Sequence, residues 1–166
     1  MMSRRNALLS LGAVSGLLAG ARALFTSAPA AAAAPPRAYE VSKTAAEWKA
    51  LLKPDQYYVL RQAGTERPHS SALNGEKRAG VYRCAGCALP LFASSTKFDS
   101  GTGWPSFWKP LDDAVVEEVD SSMFMKRTEV LCRRCGGHLG HVFNDGPRPT
   151  GLRYCMNGVA LNFAGA

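Results

Sequence analysis

The sequence predicts a mainly β domain, built as two antiparallel sheets or a partly open barrel, with short N-terminal helices and a structural zinc site. Three observations lead there. From Gly80 onward, short β-type runs alternate with Gly, Pro and Asp turns; two C-x-x-C pairs are set among them; and helical periodicity is confined to the stretch ahead of them.

Taken in order, the chain opens on a twin-arginine pair, Ser3-Arg4-Arg5, followed by an uncharged apolar run from Ala7 to Ala21 that is short for a bilayer span. This reads as an export signal over residues 1–23, resembling a twin-arginine translocation leader, with cleavage after Ala23 or after Ala30. The ordinary secretory route and an uncleaved anchor are the alternatives. Export to a bacterial periplasm is the expectation, with no stable membrane association once the leader is removed. Residues 24–38 are rich in Ala and Pro and read as a flexible tether.

The folded domain is expected over 39–166. Thr44-Ala45-Ala46-Glu47 fits a capping box, Trp48, Leu51 and Leu52 follow at helical spacing, and Pro54 stops that helix or opens a second, from about Asp55 to Arg61. Strands are expected at 81–83, 89–92, 107–110, 114–119, 124–131, 139–143, 152–156 and 159–163. Glu117, Glu118, Asp120, Lys126 and Arg127 read as solvated strand faces.

Charge argues against a nucleic-acid partner. Net charge is +7 over 166 residues, but Arg4, Arg5 and Arg22 belong to the leader, so the remainder carries +4. Four thiolates on one Zn(II) would remove about two more. A monomer is expected.

Five cysteines divide into two pairs and one left over. Cys84/Cys87 and Cys132/Cys135 each place two sulfurs on a tight turn, and four thiolates suit a closed tetrahedral Zn(II) site with no open position for chemistry. The alternative, a redox C-x-x-C, lacks a βαβ setting. Cys155 belongs to neither pair. On a strand, Arg153, Cys155 and Asn157 share a face, so a guanidinium is expected to lower the thiol pKa and supply a nucleophilic thiolate.

His138 and His141 are three apart and fall on opposite faces of a regular strand, unless a bulge at Gly140 turns both toward one cleft. There they could act as acid, base and hydrogen-bond partner. Trp104, in the aromatic turn Gly103-Trp104-Pro105-Ser106-Phe107, could wall a pocket for a methyl-sulfur group. A zinc-stapled, non-catalytic domain that binds a peptide or nucleic acid remains the competing class. A Cys-His hydrolase is a third reading, and it lacks an evident oxyanion site.

Taken together, Gly64-Thr65-Glu66-Arg67-Pro68, Lys97-Phe98-Asp99-Ser100-Gly101, Gly103-Trp104-Pro105-Ser106-Phe107, His138-Leu139-Gly140-His141-Val142-Phe143 and Arg153-Tyr154-Cys155-Met156-Asn157 resemble the B-type peptide-methionine sulfoxide reductases. The resemblance implies reduction of the R epimer of methionine sulfoxide, two antiparallel sheets, a structural zinc and Cys155 as the attacking residue. It also implies a methyl pocket shaped by Trp104 and Phe143. His138, His141, Arg153 and Asn157 would organise the thiol, the oxygen and the proton supply. Many relatives carry a recycling cysteine where this chain has Thr102, so an external thiol, thioredoxin-like or small-molecule, is expected to regenerate Cys155 from its sulfenic acid.

Overall fold

The structure, a computed structural model, describes residues 37–121 and 126–166. The expected leader, and the tether up to residue 36, lie outside the described residues.

Among the described residues, two helices come first. Thr44 Oγ1 accepts from the Glu47 N–H (3.3 Å) while Glu47 Oε2 accepts from the Thr44 N–H (2.7 Å). This reciprocal box satisfies two N–H groups that the first helical turn leaves unpaired, and it starts α1 (Ala45–Leu51). Pro54 opens α2 (Pro54–Gln62), where its fixed φ suits the first turn and its missing N–H costs nothing. Trp48, Leu52, Val59 and Leu60 are buried, whereas Leu51 is 56% exposed; so short a helix buries only a narrow stripe.

Nine strands follow among the described residues: β1 (Gly80–Cys84), β2 (Pro90–Ala93), β3 (Lys97–Phe98), β4 (Ser106–Phe107), β5 (Val115–Asp120), β6 (Arg127–Cys132), β7 (His138–Phe143), β8 (Arg153–Met156) and β9 (Leu161–Gly165). They form two antiparallel sheets, ordered β2-β1-β9 and β3-β4-β8-β7-β6-β5. The inner faces meet through rings: Phe92 stacks on Phe107 at 4.3 Å between centroids, and Tyr82 meets Phe107 edge-on at 4.9 Å.

Several strand boundaries differ from expectation. The 107–110 strand contracts to Ser106–Phe107, and the two-residue β3, too short to show alternation, was not anticipated. The start of the last strand is instead a 3-10 turn over Gly158–Ala160. Phe124, expected in a strand, lies outside the described residues.

Candidate active site and metal centre

In antiparallel pairing, directly opposed residues share a face, so register decides which side chains meet. Glu129 of β6 lies opposite His141 of β7, His141 opposite Cys155 of β8, and Cys155 opposite Ser106 of β4. One row across four strands thus carries a carboxylate, an imidazole, a thiol and a hydroxyl. The adjoining row pairs Phe143 with Arg153. The opposite face of the same strands supplies Phe107, Val130, Tyr154 and Met156 to the core.

The expected bulge is present. Val130 pairs with Gly140 but Leu131 pairs with His138, which leaves Leu139 as the extra residue and returns His138 to the face of His141. Their rings lie 5.5 Å apart. Gly140 permits it: a Cβ there would sit 2.1 Å from the Cys155 carbonyl oxygen, so only glycine lets β7 and β8 approach at this point.

Each histidine is held by a carboxylate. His138 Nδ1 lies 2.5 Å from Glu129 Oε1, and His141 Nε2 lies 2.9 Å from Asp120 Oδ2, the oxygen that also accepts from Arg127 Nη2 at 2.7 Å. An ionised, guanidinium-paired Asp120 requires the His141 Nε2–H tautomer, which turns His141 Nδ1 into the acceptor. Burial lowers the His141 pKa, so the ring is neutral near pH 7. His138 is 4% exposed, and its Nε2 has no hydrogen-bond partner among the described residues.

Asp120 and Arg127 were expected on solvated faces, as was Glu117. Asp120 and Arg127 are instead engaged in this array, whereas Glu117 is exposed, as expected, and also accepts the Tyr154 hydroxyl at 2.8 Å. Lys126 and Glu118 are exposed, as expected. The signal that marks the exceptions is positional. Arg127 and Glu129 alternate on a strand with neighbours on both sides, where a charged face must meet partners rather than water. Strand order cannot be read from one sequence.

Cys155 sits at the junction of β8 with the Gly101-Thr102-Gly103 turn. Thr102 Oγ1 is 3.9 Å from its Sγ, and Ser100 Oγ links Thr102 Oγ1 and the buried Ser106 Oγ, each at 2.8 Å. The turn needs glycine at 103, where φ is +90° and a Cβ would press within 2.9 Å of the His69 backbone nitrogen.

Arg153 stacks over Phe143, its Cζ 4.4 Å from the ring centroid, and binds Asp145 through two 2.8 Å hydrogen bonds. The expected lowering of the thiol pKa is only one side of the balance. Burial raises the Cys155 pKa and outweighs the opposing pull of Thr102, Arg153 and Ser106, so the resting group is a thiol. Arg153→Ala should therefore move the pH midpoint of Cys155 alkylation higher still; an unmoved iodoacetamide pH profile would show that the guanidinium does not reach the sulfur.

Cys155 opens into a cleft of about 150 Å³ walled by Trp104 and Phe143, with Arg127, His141 and Asn157 at its polar side. Glu66 braces two of these walls. Its carbonyl accepts from Trp104 Nε1 (3.1 Å), its N–H donates to Asn157 Oδ1 (2.9 Å), and its carboxylate accepts the N–H groups of Gly158 and Val159. Burial raises the Glu66 pKa against the pull of those two amides. The motif Gly64-Thr65-Glu66-Arg67-Pro68 contains Glu66 but gives it no role, because its contacts lie 38 to 93 residues away along the chain.

The four remaining cysteines meet as expected. Cys84 ends β1 and Cys132 ends β6, so the two knuckles join the two sheets. Each knuckle closes alike, with Ala88 N–H donating to the Cys84 carbonyl and Gly136 N–H to that of Cys132, both at 2.8 Å and both donors at positive φ. All four Sγ atoms lie within 4.8 Å of one another, with Cys87–Cys132 at 3.5 Å and Cys84–Cys135 at 3.7 Å. Zn–S bonds of about 2.3 Å at tetrahedral angles place sulfurs about 3.8 Å apart. The cluster thus fits a metal ion with four soft donors.

Without a cation the sulfurs cannot all ionise. Hydrogen bonds from Cys132 and its neighbours pull the Cys87 pKa down and push that of buried Cys84 up. Trp48 and Leu60 pack over the Gly86 turn, and Arg61 Nη1 donates to the Cys135 carbonyl at 3.1 Å, so the helices cover this end of the molecule.

Fold and site together define a class: a two-sheet protein stapled by a four-cysteine cluster, with one further thiol in a small, aromatic-walled cleft. Residues 52–165 match the SelR domain, and the chain belongs to that family. It is 59% identical over 125 residues to a peptide methionine sulfoxide reductase MsrB of Pseudomonas putida, covering 75% of this chain and 94% of that one. Enzymes of the same name from Leptospira interrogans and Methanosarcina barkeri are 57% and 60% identical, over 126 and 124 residues. These matches cover 75% and 74% of this chain, and 96% and 87% of the relatives.

Proposed function

We propose that this protein reduces the R epimer of methionine sulfoxide in peptides and proteins to methionine, with Cys155 as the nucleophile. The observation that carries the reading is the placement of that one unpaired thiol at a cleft walled by Trp104 and Phe143, directly across the sheet from His141. The cleft matches the side chain in size and polarity. Its aromatic walls receive the S-methyl group, and its polar side faces the oxygen.

The proton balance closes within the site. His141 Nδ1 takes the Cys155 proton as the sulfur attacks the sulfoxide sulfur, and it returns that proton to the departing oxygen. The S–O bond to methionine breaks, methionine sulfide leaves, and Cys155 takes up the oxygen as sulfenic acid, oxidised by two electrons. Arg153 stabilises the transient thiolate, and Asn157, fixed by Glu66 and the Leu139 carbonyl, orients the bound group. His138, held by Glu129, packs beside His141 with their rings 5.5 Å apart and supports it from within the sheet.

Regeneration falls to an outside thiol. Thr102 stands where a recycling cysteine would, and the other four sulfurs are committed to the cluster. One reductant thiol condenses with the sulfenic acid and releases water; a second displaces Cys155 as thiol and leaves with a disulfide. Thr102→Cys should restore an internal route, since Thr102 Oγ1 is already 3.9 Å from Cys155 Sγ. One turnover without reductant should leave that variant lighter by two hydrogens, with a 102–155 disulfide in the peptide map. A map showing only sulfenylated Cys155 would refute the proximity.

Zn(II) is the ion proposed for Cys84, Cys87, Cys132 and Cys135. Bound there it acts as a structural crosslink, because four protein sulfurs leave no position for water. The protein works as a monomer after export to the periplasm of a bacterium, a reading supported by Ser3-Arg4-Arg5 and the apolar run behind it. Stereospecific turnover of the two sulfoxide epimers, with dithiothreitol or a thioredoxin as reductant, tests the assignment; equal rates on both epimers, or none on R, would overturn it.

A further inference from the structure

A second and larger cavity, of about 610 Å³, shares Trp104 with the cleft over Cys155. Its walls come from the 74–77 loop, Ser94, Lys97 to Asp99, and the turn that carries Trp104. The smaller cleft has room for the oxidised side chain and little more. The backbone and neighbours of a peptide substrate must therefore lie outside it, and this cavity adjoins the cleft at their shared wall, Trp104.

The charges in it are mixed: Glu76 and Asp99 line it beside Lys77 and Lys97, and both carboxylates act on the Lys97 charge from beyond ion-pairing distance. Glu76 is committed to Arg78, whose Nε and Nη2 donate to Oε1 (3.0 Å) and Oε2 (2.5 Å), and this pairing holds the Glu76 pKa down at about 2. Asp99 Oδ1 accepts the Gly101 N–H at 2.9 Å. Lys97 Nζ, by contrast, is half-buried and donates to a neutral acceptor, the Asn74 carbonyl at 2.8 Å. No carboxylate of the described residues lies within ion-pairing distance of Lys97 or Lys77. A half-buried ammonium with two N–H groups left to give, set in a cavity at the substrate's exit, is a receptor for a carboxylate.

We infer that this cavity docks the chain flanking the oxidised methionine, and that Lys97 selects an acidic side chain there. The inference rests on reduction at Cys155 and specifies its substrate: oxidised methionines with a neighbouring Asp or Glu.

The test compares capped peptides carrying R-methionine sulfoxide flanked by Glu, Ala or Lys. Acetylated, amidated R-methionine sulfoxide without flanking residues serves as the reference; its turnover tests the reductase reading itself. Wild-type protein should turn over the Glu peptide with kcat/KM roughly fivefold above the Ala peptide, through KM, with the Lys peptide poorest. That ratio should collapse toward one at high salt and in Lys97→Gln, and persist in Lys97→Arg. Equal kcat/KM for the three peptides in the wild-type protein, or a ratio that Lys97→Gln leaves intact, would overturn the inference. The wild-type peptide series and its salt dependence stand whether or not the variants fold.

Discussion

Cys155→Ser is expected to abolish sulfoxide reduction, by a factor of about a thousand or more, while leaving the fold in place. A serine hydroxyl ionises far less readily than a thiol and is a much weaker nucleophile toward sulfur, so the step that removes oxygen from the substrate loses its acceptor. The substitution itself is mild. Cys155 is half-buried, its Sγ lies 3.9 Å from the Thr102 hydroxyl, and a serine there can join the Ser100–Thr102–Ser106 hydroxyl chain. Thermal melting should therefore change little. Turnover of R-sulfoxide by the serine variant within tenfold of the wild type would remove Cys155 from the mechanism.

The second large effect is on stability. If the cluster holds the proposed Zn(II), Cys132→Ser, or exhaustive chelation of the wild type, is expected to release it and with it the cooperative fold. Cys132 is fully buried at the end of β6, and its knuckle faces that of Cys84 at the end of β1, so the cluster is the crosslink between the sheets. Coordination free energy in small zinc domains runs to about 10–16 kcal/mol, comparable with the whole stability of a domain this size, about 5–15 kcal/mol. Losing one ligand also leaves three sulfurs crowded within 4.8 Å with no ion between them. Zinc analysis and melting curves read the result together. A serine variant that binds no zinc yet melts within a few degrees of the wild type would show that the knuckles are not what joins the sheets.

Much of the site was legible without coordinates because its signals are local. Two C-x-x-C pairs announce four metal ligands by spacing, and Cys155 stands out by arithmetic. The period of two along Arg153, Cys155 and Asn157, and the glycine between His138 and His141, were enough to anticipate one shared face and one bulge. The capping box at Thr44 and the proline at 54 fixed two helix starts for the same reason, since every partner lies within three residues.

Cross-strand partners were not legible. Asp120 and Arg127 read as solvent-facing charges and instead hold His141, while Glu129 holds His138 from a neighbouring strand. The expectation for the thiol holds for the direction of the arginine's pull but not for the net balance. An adjacent arginine does lower the Cys155 pKa, but the burial that outweighs it depends on elements folded over the cysteine from distant parts of the chain.

By itself, then, the sequence determined the inventory: a β domain, four sulfurs spaced to cluster, a fifth set apart from them, and the aromatic and basic groups beside it. Only the tertiary structure decided which carboxylate orients which histidine, how burial weighs on the thiol, and that a second cavity, with a half-buried lysine in no contact ion pair among the described residues, adjoins the cleft. The physical reason is range. Spacing, capping and alternation are set by bonds along the chain, whereas register, burial and charge balance are set between segments that meet only when the two sheets close.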